Sequence, residues 1–184
     1  MELLAEACPD IQKMIFKYNS NFFTTYTQLA CFDKIQHFET WGGEYQPSGL
    51  DQLIEIIGPN LATLHLCHVE DISAGSLLHL TKNCKSLKNL IFENCSFNVE
   101  GEEDLSVEEL EIRELKFPHL LSLKTLKIIH FMPLRMVLMI LRKSLNIVAI
   151  EIDSENELTD ENILELLEEN KLQKLEKFLV CYSR

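Results

Sequence analysis

No apolar run in the 184-residue sequence approaches the roughly 20 residues that a membrane-spanning helix needs. Met1 to Pro9 carries Glu2 and Glu6 and has neither a basic n-region nor an apolar core, so no secretory signal is visible. The expected location is therefore the cytoplasm, with the nucleus also open. Basic residues are scarce: 17 Lys and Arg stand against 29 Asp and Glu, a formal charge of -12. That balance speaks against nucleic acid and against an anionic membrane as partners, because both attract an excess of cations. With six glycines in all, there is no phosphate-cradling loop and no G-x-S-x-G nucleophile turn. The six cysteines include no C-x-x-C pair, which removes zinc knuckles and thioredoxin-type redox chemistry. A chain this rich in leucine needs no disulfide scaffold, so the thiols fit a reducing compartment. Asn94-Cys95-Ser96 has the form of a glycosylation acceptor and reads as a chance match without a signal peptide.

What the sequence has in abundance is leucine, 31 residues of it, and the spacing matters more than the number. Leu61, Leu64 and Leu66 form an L-x-x-L-x-L unit. Leu87/Leu90/Phe92 repeats it 26 residues on, Ile35/Phe38/Thr40 26 residues back, and Ile11/Met14/Phe16 another 24 back. Downstream the pattern is looser, at Val107/Leu110/Ile112, Leu123/Leu126/Ile128, Leu145/Val148/Ile150 and Leu175/Phe178/Val180. The last two apolar positions of each unit are two apart, so in a strand they share the core face. Helix signals fill the intervals. Ser48 precedes Leu50, Leu53, Ile54 and Ile57, with Gly58-Pro59 as the stop. Ser73 precedes Leu77, Leu78 and Leu80, Pro133 opens a run from Leu134 to Leu141, and Thr159 with Asn162 begins another. One strand and one helix per roughly 25 residues predict an α/β leucine-rich-repeat solenoid, a single domain over 1–184. Its horseshoe would carry parallel strands on the concave face and helices on the convex one. Residues 98–122 read as irregular or inserted.

The cysteines narrow this further. Cys8-Pro9-Asp10-Ile11 and Cys84-Lys85-Ser86-Leu87 each place a helix-terminal cysteine three residues before the unit's first apolar position, and Cys95 fills the Asn/Cys slot after a strand. These marks, with Val69-Glu70-Asp71-Ile72-Ser73 leading into a helix, resemble the ribonuclease-inhibitor-like repeats of F-box/leucine-rich-repeat proteins. The resemblance implies the substrate-recognition repeats of a ubiquitin-ligase adaptor. It also implies a Skp-type adaptor and a cullin as partners if an F-box precedes Met1; nothing in the chain itself matches an F-box. The opening segment Glu2 to Cys8 reads as the tail of a repeat helix, so truncation at the N-terminus is expected.

Side chains that could do chemistry are few. His65, Cys67 and His68, with His37 one unit away, are the best metal candidates, yet only two of them align on one strand face. No metal and no cofactor is expected. Cys8, Cys84 and Cys95 fall where the pattern buries a thiol, and a buried thiol is inert. Charge is patterned: eight acids and only Arg113 between Glu100 and Glu114, six basic residues and no acid from Leu115 to Ile150, then nine acids from Glu151 to Glu169. This reads as a solvated surface or as a surface that steers a charged protein.

The concave face carries the functional expectation. In the repeat register its residues include Lys17, His37, Glu39, Trp41, His65, Cys67, Ile91, Glu93, Glu111, Arg113 and Lys127. Lys17, Trp41, Cys67, Glu93 and Arg113 should form one row across successive strands. Trp41, the single tryptophan, is either an exposed hot spot or a ring folded over Tyr45 on the Gly42-Gly43 loop. The chain is expected to be a non-catalytic protein-binding module and not an enzyme. The alternative is a stand-alone ribonuclease-inhibitor-like or scaffolding repeat protein without a ubiquitin role.

Overall fold

Alternating apolar side chains make a strand only when one face is taken out of water, and each unit found its partner in the next. A computed structural model of the protein describes residues 2–17, 26–42, 47–98, 117–153, 158–169 and 172–181. In chain order these form α1 (Glu2–Ala7), β1 (Lys13–Lys17), a 3-10 turn (Tyr26–Cys31), β2 (His37–Trp41), α2 (Pro47–Ile57), a short 3-10 turn (Gly58–Asn60), β3 (Thr63–Cys67), β4 (Ile72–Ser73) and α3 (Ala74–Asn83). Then follow β5 (Asn89–Glu93), β6 (Phe97–Asn98), β7 (Thr125–Ile129), α4 (Leu134–Lys143), β8 (Ala149–Asp153), α5 (Asp160–Glu168) and β9 (Lys177–Cys181). The fold is α/β. Seven strands make one parallel sheet in the order β1-β2-β3-β5-β7-β8-β9, and β4 pairs with β6 in a second, two-stranded sheet. No helix among the described residues is long and apolar enough to cross a membrane.

Each strand enters the large sheet by the same bonds. The Gln12 carbonyl accepts from the N–H groups of Gln36 and His37, and Gln36 does so from Ala62 and Thr63. Ala62, Lys88, Lys124 and Val148 repeat the arrangement one strand further on each time. At the far ends of β2, β3, β5 and β7 the chain turns out of the sheet through a residue with positive φ: Gly42, His68, Asn94 and His130. Asn and His are among the side chains that tolerate this region best. His68 thus serves the turn and projects beyond the strand.

The helices start where their caps place them. The Ser73 hydroxyl accepts from the Ser76 N–H, and Thr159 with Asn162 forms a full capping box. Pro133 precedes α4, whose last turn carries Arg142 and Lys143 against the negative end of the helix dipole. Leu50, Leu53, Ile54 and Ile57 of α2 line one helical face and join Phe38, Leu64, Leu66, Leu90 and Phe92 in a continuous core. That core runs on through Leu126, Ile128, Ile150 and Ile152 to Leu166 and Leu172.

Three expectations need correction. The eighth-residue thiol, Cys8, is exposed, whereas Cys84 and Cys95 are buried as expected. β5 pairs directly with β7, so no unit at Val107 lies between them; residues 99–116 are outside the described set, and Leu87 and Leu123 are 36 residues apart. Finally, Leu126 pairs with Ile150 and Ile128 with Ile152, which makes the β8 unit Ile147/Ile150/Ile152 and not Leu145/Val148/Ile150. Ile147 is accordingly buried.

Candidate functional site

Helices cover the core face of the large sheet, and the opposite face stays partly exposed. Its side chains fall into rows set by the strand register. One row is Ile15, Glu39, His65, Ile91, Lys127, Glu151 and Leu179; beside it runs Lys17, Trp41, Cys67, Glu93 and Ile129. His37 belongs to a third row, between Lys13 and Thr63. Nine of the eleven residues read from the sequence therefore share this face. Glu111 and Arg113 lie outside the described residues, and the place after Glu93 belongs to Ile129, not Arg113, because β7 follows β5 in the sheet.

The chemistry gathers on β2, β3 and β5. His65 Nε2 lies 2.9 Å from Glu93 Oε2, and His65 Nδ1 lies 3.9 Å from Glu39 Oε2. The Trp41 indole N–H donates to Glu39. Its ring stands 6.1 Å from the His65 ring, centroid to centroid, and Lys17 Nζ sits 5.6 Å from the Trp41 ring centre in a cation–π contact. Trp41 is thus half-buried and held by neighbours on its own face. The Tyr45 packing considered for it falls outside the described residues.

Cys67 departs from the expectation of an exposed residue. Flanked in its row by Trp41 and Glu93, it has no solvent exposure at all. Burial pushes its thiol up to about 11, and the negative charges of Glu93 and Glu39 push the same way. Burial alone holds the Cys84 thiol up at about 12 and, as its main cause, Cys95 at about 11. Cys95 donates to the Leu66 carbonyl at 3.2 Å and packs as a small apolar residue. None of these three is poised as a nucleophile.

His65, Cys67 and Glu93 present ligand atoms that all lie within 4.8 Å of one another, the one such group among the described residues. Of the four residues expected from the sequence, His65 and Cys67 belong to this group and His68 and His37 do not. His68 is exposed at its left-handed turn past β3, and His37 sits two residues from Glu39 on β2. Glu93 joins the group because the 26-residue offset between units sets it beside Cys67 on the neighbouring strand, a signal present in the spacing of the sequence. A cavity of about 100 Å³ opens next to the group, lined by Lys13, His37, Glu39, Thr63, His65 and Ile91. A wider depression of about 490 Å³ lies at the end where the strands enter, between Gln12, Lys34, Asn60 and Lys88, and holds no comparable side-chain group. Compared with known proteins, the chain matches no protein-family model and no curated protein.

Proposed function

We propose that the protein is a leucine-rich-repeat solenoid whose open sheet face, concave in this reading, binds another protein, and that it catalyses nothing itself. The observation that carries the reading is the recurrence of one set of backbone bonds on six successive strands, all in chain order. A doubly wound dinucleotide-type sheet instead reverses its strand order and binds ligand at that reversal. Among the described strands the order has no reversal. Stacked strands of this kind give repeat proteins a continuous binding surface. Trp41, with Ile15 and Ile91 nearby on the same face, supplies the apolar anchors from which hot spots are built.

Within that reading, the helix-end Cys84 and the slot residue Cys95 favour substrate-recognition repeats of an F-box-type ligase adaptor over a stand-alone scaffold. Affinity capture with the full-length gene product tests both levels, run beside a variant carrying Ile15→Asp and Ile91→Asp. A Skp-type adaptor and a cullin should co-purify with both forms, while other bound proteins are lost from the variant at unchanged circular dichroism. Consistent absence of adaptor and cullin overturns the ligase role. Equal recovery of every bound protein with the variant overturns the binding face.

A further inference from the structure

The geometry points to a divalent transition-metal site, zinc by its donor chemistry, held by His65 Nε2, Cys67 Sγ and a Glu93 carboxylate oxygen. This does not depend on the solenoid reading. Imidazole, thiolate and carboxylate are the three protein ligand types that zinc takes, at about 2.0–2.3 Å, and three of them leave a fourth position open. At those bond lengths tetrahedral ligand atoms stand about 3.3–3.8 Å apart. The present limit of 4.8 Å is a side-chain adjustment away, and His65 Nε2 and Glu93 Oε2 are already at 2.9 Å. The ligands sit on two adjacent strands, whose ladder fixes their spacing.

Two further observations favour a cation. Neither Glu39 nor Glu93 has a lysine or arginine partner among the described residues; both face the single imidazole of His65. And a carboxylate stands behind the ring: Glu39 Oε2 lies 3.9 Å from the other ring nitrogen, about 1 Å beyond a hydrogen bond, and Trp41 donates to Glu39. A carboxylate behind a ligating histidine orients the ring and raises its basicity. On binding, the Cys67 S–H bond breaks, its electron pair forms the metal–sulfur bond and the proton leaves to solvent. The proton that His65 Nε2 shares with Glu93 leaves that nitrogen, the ring takes its proton on Nδ1 on the Glu39 side, and the freed Nε2 lone pair forms the metal–nitrogen bond.

Titration of the purified chain with Co(II) alone, followed by displacement with Zn(II), tests this. One equivalent should produce a cobalt–thiolate charge-transfer band that zinc abolishes. Cys67→Ser should remove the band while Cys95→Ser retains it, and Glu93→Gln should weaken binding tenfold or more. Glu39→Gln should weaken it by about 10- to 100-fold without removing the band, as an outer-shell residue does. No band in the parent chain overturns the site, and so does a band that survives in folded Cys67→Ser. If Cys67→Ser does not fold, the isosteric Glu93→Gln decides: unchanged affinity overturns the proposal.

Discussion

Two stretches of one sheet face use the same residue types to different ends. On β2, β3 and β5, Glu39 and Glu93 flank His65 beside the buried thiol of Cys67. On β7, β8 and β9, Lys127 takes the row place of His65, its Nζ 2.6 Å from Glu151, and the exposed Cys181 thiol lies 3.7 Å from the same carboxylate. Burial and Glu151 raise the Cys181 thiol, with Lys127 opposing. An ammonium neutralises its carboxylate and has no lone pair to offer; an imidazole that gives up its hydrogen bond can offer a ring nitrogen to a metal. One change of side chain in a row separates a closed ion pair from the proposed ligand group.

The same contrast runs through the core side. Phe38 and Phe178 occupy one row of the sheet, yet Phe38 is 2% exposed and Phe178 39%. Phe38→Ala should cost about 3–5 kcal/mol in urea unfolding, and Phe178→Ala less than about 1 kcal/mol. Comparable losses at both sites would break the distinction between inner and terminal strands.

A smaller effect is expected where each unit turns into its strand. Gly58 and Ser144 hold equivalent places, and each carbonyl accepts from the N–H three residues on. A Cβ on Gly58 would meet Cys84 Sγ at 2.9 Å, whereas Ser144 has room to donate to the Ile140 carbonyl at 2.6 Å. Gly58→Ala should therefore cost about 1–3 kcal/mol by overpacking. Adding Cys84→Ala should recover part of that loss in a double-mutant cycle. Strict additivity would show that the sulfur is not the obstacle.

The smallest effect sharpens the comparison of the two face patches. The Lys127 hydrogen bond holds the Glu151 carboxyl below its usual range against the opposing effect of burial, and Lys177 adds a minor pull. A carboxyl lowered by folding stabilises above its unfolded value, about 4.3, and that contribution is lost as pH falls through the folded one. Lys127→Met should remove about 0.2–1 kcal/mol at neutral pH and flatten the acid side of the stability profile. An unchanged acid limb would mean that Lys127 is not the cause.

Much of this was legible because local signals and pairing agreed. Ser73, Pro133 and the Thr159–Asn162 pair mark helix starts by chemistry that needs no tertiary context. The 24- to 26-residue offsets aligned β1, β2, β3 and β5 residue for residue. Around β8 the run Leu145-Asn146-Ile147-Val148-Ala149-Ile150-Glu151-Ile152 satisfies the pattern in two registers two residues apart. Only pairing with β7 selects one. A shift of two keeps every strand residue on its face, so Ala149 and Glu151 lie opposite the core in either register. The ligand group was harder to see, since Cys67 and Glu93 meet only across a ladder and solvent exclusion at Cys67 comes from its neighbours' bulk.

Strands that follow chain order also decide how the molecule bears load. β1 and β9 are the opposite edges of the sheet, so tension applied through them runs across the ladders and not along them. The span between those edges is six strand spacings, about 29 Å. Force would peel an edge strand bond by bond, never shearing a whole ladder at once. Each detached unit, 24 to 36 residues from one strand to the next, would pay out roughly 80–130 Å of extended chain. Under tension the protein yields in steps, as a spring that lengthens one unit at a time.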